Sequence, residues 1–366
     1  MIRILQMAGL NRGGLETFIM NVYRQIDRSK IQFDFLTHQP DGDYAEEVKS
    51  LGGRIFSLPP RNKGFQQYYK ALDIFFAEYA NEYAAVHLHV SSLSMASSLY
   101  YAKKYGIKIR ILHSHSSSIS ASKFHYILHC ITKPFVKNLA TNYLGCSDKA
   151  LDWLYNGSGV RKQAVMISNG IDVENFKYNE IKRNKIRQSL GLDNMTVIGH
   201  VGRFYNVKNQ PFLVSTFFTY HKLNPKSKLM LIGTGESINE VKVQVEQLGL
   251  TNDVLFMGVR SDIPDLLQAM DIFVMPSLFE GLPVSLVEAQ TAGLPVLATD
   301  VISHDTNMTD GFHYMSLAKT SKEWANEIDR ILNSYIRRDT TKEIAAKGFD
   351  IKETANILSK IYTHGE

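Results

Sequence analysis

Residues 276–300 read PSLFEGLPVSLVEAQTAGLPVLATD, with two glutamates eight positions apart, Glu280 and Glu288. Glu280 is followed by Gly281, so it stands at a loop tip where the backbone is free to turn. Leu282 precedes Pro283, which disfavours helix at Leu282 and suits Pro283 to a first helical position. The spacing then predicts a helix from about Pro283 that stops near Gly293, with a strand over 296–298. One carboxylate therefore precedes a helix N-terminus, and the other lies about a turn and a half inside the helix. Such a terminus offers unpaired N–H groups and positive potential, which suit a phosphate. Two acceptor side chains beside it suit a ligand rich in hydroxyls as well as phosphate, such as a nucleotide sugar. The plainer alternative is a buried helix–strand unit whose two glutamates are simply solvated.

Outward from this stretch, short β-rich runs alternate with helical patterns along the whole chain. Residues 2–7, 32–37, 85–89, 107–113 and 141–145 read as strands in the first half. Residues 196–201, 228–232, 254–257, 272–275 and 296–298 do so in the second, and 16–26 and 238–248 carry helical apolar spacing. This alternation predicts an α/β fold of parallel, doubly wound sheets, with ligands at the C-terminal ends of the strands. The pattern breaks at about 169–190, where Ser168-Asn169-Gly170-Ile171-Asp172 is turn chemistry and the polar run NEIKRNKIRQS follows. The expected domains are 1–172 and 173–349, with a helical tail over 350–366.

Composition narrows the class. The chain has 366 residues, enough for two domains of ordinary size, with 44% hydrophobic and 21% charged residues. It holds no apolar run of 18 residues, which excludes a membrane-spanning helix. The start, MIRILQMAGLNRGG, is broken by Arg3 and Gln6 and reads as a first strand rather than a signal peptide. Two cysteines, Cys130 and Cys146, make no disulfide framework and suit a reducing cytoplasm. The net charge of +5 divides unevenly: residues 1–172 hold 20 Lys/Arg and 13 Asp/Glu, the remainder 21 and 23. A basic first half suits an anionic partner, a membrane surface, a lipid diphosphate or nucleic acid, the alternative being random scatter. No nucleic-acid motif is present, so nucleic acid is not an expected partner.

Several local patterns carry chemistry. Gly13-Gly14 opens a helix after the first strand, with Glu16 just beyond, and paired glycines let backbone N–H groups approach a phosphate or sugar. Gly202-Arg203 and Lys208 put two cations five apart on a glycine-preceded loop, a fork and a point charge suited to a diphosphate. Gly233-Thr234-Gly235 ends another strand. His87-Leu88-His89 and His113-Ser114-His115 lie at strand ends but lack Cys or carboxylate companions at zinc spacing, so they read as polar residues at a core edge. His125 and His129, four apart, read as one exposed helix face. Asp41-Gly42-Asp43 reads as a turn rather than a metal motif. Residues 122–139 align Phe124, Ile127, Leu128, Ile131 and Phe135, with Lys123, Lys133 and Lys137 flanking. That pattern fits either a helix packed on a sheet or an interfacial helix.

Taken together, NRGGLET, QFDFLT, HSHS, NGID, GHVGRF and MPSLFEGLPVSLVEAQ resemble glycosyltransferase family 4, the retaining sugar-nucleotide transferases of GT-B architecture, and within it bacterial exopolysaccharide and capsule transferases. The resemblance implies two Rossmann-like domains facing a cleft, the first binding acceptor and the second the nucleotide-sugar donor, with the last helix returning to the first domain. It implies a hexose transferred from a nucleotide diphosphate sugar, expected to be a UDP-sugar, to a glycan or lipid-linked glycan, without a metal or other cofactor. By resemblance Arg203 and Lys208 meet the diphosphate, Glu280 the donor hexose and Glu288 the ribose. His113 lies near the donor sugar, with His115 the second choice. Gly13, Gly14, Gly202, Gly233, Gly235, Gly281, Leu282, Val284 and Ser285 line the donor site, Val259 and Arg260 flank the base, and Glu16 is near sugar or acceptor. Pro283 departs from family members that carry an N–H donor there, which bears on donor identity. The expected location is the cytoplasm, with peripheral contact at the inner membrane. A sugar-nucleotide epimerase or hydrolase of the same fold, and a non-catalytic sugar-nucleotide-binding partner of another transferase, are the alternatives.

Overall fold

A computed structural model describes residues 1–116, 123–280 and 282–365, without the side chains of Lys123 and Phe124. The chain divides into two compact units, residues 1–170 with 350–366, and residues 171–349.

In the first unit seven strands form one sheet: β1 (Ile2–Met7), β2 (Ile31–Thr37), β3 (Ile55–Ser57), β4 (Tyr83–Val90), β5 (Ile109–Ser114), β6 (Asn142–Gly145) and β7 (Val165–Met166). Their order is β3-β2-β1-β4-β5-β6-β7, and the pairings are parallel. Parallel strands need crossovers, and helices supply them on both faces. One face packs on a cluster that includes Leu72, Phe76, Leu99 and Leu154. The other packs on Phe18, Ile19 and Val22 of the helix Gly14–Gln25 and on Ile351, Leu358 and Tyr362 of the last helix, Ile351–His364. Gly170 shows how closely the chain passes that helix: a Cβ there would lie 2.9 Å from Ile351 Cα.

The second unit repeats the plan with β8 (Thr196–Val201), β9 (Ser227–Ile232), β10 (Val254–Gly258), β11 (Ile272–Met275), β12 (Val296–Thr299) and β13 (Phe312–Met315) in the order β10-β9-β8-β11-β12-β13. Each sheet thus starts in its middle, runs to one edge, and then continues outward from the other side of its first strand. The reversal falls between β1 and β4 in one unit and between β8 and β11 in the other. In open parallel sheets that switch point is where ligands sit.

Three details depart from expectation. The polar run after residue 178 is not a linker but a helix, Glu180–Ser189, held to the second unit by Arg183 and Arg187 on Asp271 and on nearby carbonyls. The helix after Glu280 spans Val284–Thr291, with Pro283 as its N-cap rather than its first residue, because Pro283 keeps an extended ψ of 109°. The edge strands β3, β7 and β13 carry no clear period-2 or apolar signal, being short and partly exposed.

Candidate active site

At the switch point of the second sheet, β8 ends at Val201 and releases Gly202-Arg203, while β11 ends at Met275 and releases the loop to Glu280. The two loops are stitched together. Leu278 N–H donates to the Val207 carbonyl at 2.8 Å, and Asn209 Nδ2 donates to the Pro276 carbonyl at 3.1 Å. Asn209 takes a left-handed φ of 54°, one of two non-glycine residues with positive φ among the described residues, and it caps the helix Gln210–Leu223. This pinning brings Lys208 Nζ to 2.6 Å from Glu280 Oε1, with only 18% and 12% of the two side chains exposed. Arg203 is exposed on the same loop, its carbonyl accepting from Gln210 Nε2.

The glycines here have a local explanation. Gly233 has φ 132°, and a Cβ on it would lie 2.1 Å from the Gly202 carbonyl oxygen. A Cβ on Gly235 would lie 2.4 Å from the Phe204 carbonyl oxygen. Main chain therefore passes against main chain, and only glycine fits. Gly202 lies above His200, whose Nδ1 donates to the Val274 carbonyl at 2.9 Å. His200 Nε2 is left as a buried lone pair without a partner among the described residues, and burial pushes its pKa down to about 4.

Glu288 is the fifth residue of the helix Val284–Thr291. Desolvation pushes its carboxyl up to about 7, and it has no hydrogen-bond partner among the described residues. Val284 and Ser285 are the first two residues of that helix, and Leu282 is partly buried beside it. Gly281 lies outside the described residues. Val259 is exposed after β10, and Arg260 pairs with Asp262 at 2.5 Å.

The first unit holds the remaining expected residues. Gly13 caps the helix Gly14–Gln25 in an extended conformation, and a Cβ on Gly14 would meet nothing within 4 Å, so space is open at this helix start. Glu16 lies in its first turn, and a Cβ on Gly9 would come within 2.9 Å of its Oε1. Asp43 accepts the Arg12 N–H at 2.8 Å, so Asp41-Gly42-Asp43 closes a turn.

His113 and His115 belong to a larger set that the sequence does not announce. Parallel pairing puts Gln6 of β1 beside His87 of β4, and His89 of β4 beside His113 of β5. His87 Nε2 lies 3.1 Å from His113 Nδ1, and His89 Nδ1 lies 2.9 Å from His115 Nε2. Gln6 and Tyr362 complete the set from the far ends of the chain. Burial pushes all four imidazoles well down and keeps them neutral. His87, His89 and His113 form the one group among the described residues with three candidate metal-ligand atoms within 4.8 Å. Those nitrogens are already engaged with one another, His115, Gln6 and Tyr362, and only His113 Nε2 of the trio has no partner among the described residues. Three free lone pairs are not on offer, so the set does not fit a resident metal.

His129 corrects an expectation. It is buried rather than exposed, accepts the Leu93 N–H at 3.2 Å and stacks on Trp153 at 4.3 Å. The opposite side of its helix, Lys123–Thr132, exposes Ile127 and Ile131, and Phe135 is exposed just beyond. A cavity of about 340 Å³ at the ends of β1, β2 and β4 mixes Met7, Leu36, Leu88 and Tyr68 with His38 and Gln39. No helix of the described residues is long and apolar enough to cross a membrane.

Comparison with known proteins gives these features a family. Residues 12–175 match the model of Glycosyltransferase Family 4, and residues 182–348 that of Glycosyl transferases group 1. The putative glycosyltransferase EpsF of Bacillus subtilis is 34% identical over 97% of this chain and 94% of its own length. The Escherichia coli UDP-Gal:alpha-D-GlcNAc-diphosphoundecaprenol alpha-1,3-galactosyltransferase is 31% identical over 54% of this chain and 53% of its own. Among solved structures, Anabaena HepE in complex with UDP-glucose superposes with a TM-score of 0.76 at 21% identity, covering 98% of this chain and 99% of that one. Matching family models across both units and a 34% identical relative of nearly equal length lead to one conclusion: the chain belongs to glycosyltransferase family 4, on a GT-B scaffold of two Rossmann-like sheets.

Proposed function

We propose that this chain is a retaining hexosyltransferase that draws on a UDP-sugar and extends a glycan or lipid-linked glycan in exopolysaccharide, capsule or other cell-surface polysaccharide synthesis. The observation that carries this reading is the Lys208–Glu280 pair at the switch point of the second sheet, with Arg203 on the same loop and Glu288 in the next helix. As donor binds, Lys208 leaves Glu280 for the diphosphate, and Glu280 turns to the hexose hydroxyls. Arg203 and the N–H groups of Gly281, Leu282, Val284 and Ser285 complete the diphosphate cradle. Glu288 accepts from the ribose hydroxyls, while Val259 and Arg260 flank the base. In the transfer, the bond from the anomeric carbon to the diphosphate oxygen breaks, and the acceptor hydroxyl oxygen bonds to that carbon on the same face. The hydroxyl proton passes to the departing diphosphate, whose growing charge Lys208 and Arg203 offset. Two cations and a helix start do the work of a metal, so none is required.

Of the first domain's residues, the family resemblance assigns Gly13 and Gly14 to the donor diphosphate with Glu16 nearby, and His113, seconded by His115, to a donor-sugar hydroxyl. The acceptor enters the mixed apolar and polar cavity near Tyr68 and His38. Exposed Ile127, Ile131 and Phe135 near Lys133 and Lys137 suit peripheral contact with the cytoplasmic membrane face. The UDP-glucose bound to the Anabaena neighbour and the UDP-Gal and lipid diphosphate in the name of the Escherichia coli relative favour this donor and acceptor class.

A thermal-shift panel of UDP-, GDP- and ADP-sugars tests the donor. A UDP-hexose at about 100 times its dissociation constant stabilises by about 2.7 kcal/mol, and NMR of the product then shows the donor's anomeric configuration kept. Preference for another base, an inverted product, or rapid isomerisation of the donor without acceptor overturns the reading.

A further inference from the structure

Six side chains of the first unit form one unbroken hydrogen-bonded path, and a single amide stands at its centre. Gln6 is 1% exposed, and its Nε2 donates to Tyr362 Oη at 3.3 Å. Among the described residues the Tyr362 proton has no other acceptor than His87 Nδ1, 2.8 Å away, so Tyr362 donates there. A neutral His87 must then carry its proton on Nε2, which donates to His113 Nδ1 at 3.1 Å. His113 is left with a proton on Nε2, buried and unpartnered among the described residues. In the other direction Gln6 Oε1 can only accept, so His89 Nε2, at 2.9 Å, donates to it. His89 Nδ1 then accepts from His115 Nε2 at 2.9 Å, and His115 Nδ1 is left as a bare, buried lone pair, also unpartnered among the described residues.

The path ends in one donor and one acceptor on rings whose centroids are 4.1 Å apart, both packed against Phe18. Turning the amide over reverses every bond and exchanges the two ends, but the pair remains one donor and one acceptor. That parity follows from the amide having one of each. We infer that Gln6 is a positioning residue that couples the tautomers of His113 and His115, so that this corner always complements a group that both accepts and donates, a hydroxyl, and disfavours one that only accepts, such as a carboxylate. This rests on the reading that His113 and His115 meet the donor sugar. Tyr362 gives the last helix a part in the same device, since its hydroxyl is the link between Gln6 and His87.

The test is nitrogen-15 NMR of the imidazoles at neutral pH, beside kinetics with UDP-glucose and UDP-galactose. Wild-type protein should show His87, His89, His113 and His115 all in the Nε2–H form. Gln6→Glu places an acceptor at both junctions, so Tyr362 turns its proton toward residue 6. His87 and His113 should then change to the Nδ1–H form while His89 and His115 keep theirs, leaving two bare nitrogens. Turnover of the intact donor should fall by roughly 5- to 150-fold, the span expected for one unmade buried hydrogen bond, with UDP affinity unchanged. Tyr362→Phe, a milder change, should release His87 and His113 into mixed tautomers without touching His89 and His115. Mixed tautomers in wild-type protein, or no change of His87 and His113 in either variant, overturns the coupling. A tautomer change with full turnover of the donor overturns the positioning role, whereas full turnover in His113→Ala and His115→Ala as well overturns the assignment of the two histidines to the sugar.

Discussion

The two units share a strand order and a switch point, yet the side chains gathered there are opposite in kind. In the first unit the path from His115 to His113 contains no formal charge: an amide, a phenol and four imidazoles kept neutral by burial. In the second, a lysine and a glutamate face each other at 2.6 Å, and a desolvated carboxyl stands in the next helix. On the proposed reading, the ligand group rather than the scaffold decides this. A diphosphate, whose charge grows as its bond to sugar breaks, needs cations held ready. Hydroxyls need donors and acceptors in fixed positions, and a neutral path delivers them without the desolvation cost of buried charge.

The largest effect should come from removing charge from the charged side. Lys208→Ala and Arg203→Ala should each lower turnover about 10²- to 10³-fold, the scale for losing one preorganised electrostatic group, with folding little changed because both lie on a loop. Steady-state kinetics beside circular dichroism decide it. Full turnover and wild-type UDP affinity in both variants would remove the diphosphate from this loop.

Acid should divide the units next. His87, His89, His113, His115 and His129 all have folded values below their unfolded ones, so their stability is complete above about pH 6.5 and is lost as pH falls through it. Each such buried imidazole costs about 1.4 kcal/mol per pH unit once the unfolded form is protonated. In the second unit His200 and His313 act in the same sense, but Glu288 opposes them. Its folded value of about 7 lies above its unfolded one, so its contribution is present at low pH and fades as pH rises toward 7. Hydrogen-exchange protection, corrected for intrinsic rate, should therefore fall faster at β4 and β5 than at β8 and β11 between pH 7 and pH 5. Equal loss in the two sheets would mean that the imidazoles of the first are solvated.

The same contrast marks what could be read in the chain and what could not. Central strands such as β8, β11 and β12 are buried on both faces and stand out as apolar runs. The edges β3, β7 and β13 do not, since one partner strand and partial exposure leave little pattern. Glu280, Lys208 and Arg203 were legible because loop chemistry is written locally, as glycine, cation and acid at fixed spacing. The pairing of Lys208 with Glu280 was not, because 72 residues separate them. Gln6 and Tyr362 lie 356 positions apart and meet only when the last helix packs on the first sheet, so nothing local marks either. His200 left a faint trace, a polar residue inside an apolar strand, whose reason is the Val274 carbonyl on the neighbouring β11.

Glu288 allows a sharper test of the charged side. With a carboxyl near 7, its ionised fraction rises about tenfold between pH 6 and pH 8. If ribose hydroxyls donate to the ionised form, affinity for UDP-glucose should climb by up to about tenfold over that range. Glu288→Gln should flatten the profile, and calorimetry at both pH values with each protein settles it. A profile unchanged by Glu288→Gln would assign the dependence to another group.

The smallest effect concerns the ion pair itself. Treated as independent contacts, Glu280 would serve the sugar alone and its loss would leave UDP binding unchanged. The pair at 2.6 Å makes the two contacts compete, because Lys208 must give up a partly buried carboxylate before it can serve the diphosphate. Glu280→Gln keeps the shape, removes that competitor and leaves Lys208 with a weaker partner. UDP should then bind a few-fold tighter, since a partly buried charge-assisted contact is worth about 1 kcal/mol more than a neutral one. Turnover of the intact donor should still fall, because the hexose hydroxyls lose their carboxylate. A double-mutant cycle with Lys208→Met isolates the coupling: the gain in UDP affinity should vanish in the Lys208→Met background. If Glu280→Gln tightens UDP equally with and without Lys208, the gain is long-range charge rather than release of the lysine, and the exchange of partners at this switch point does not occur.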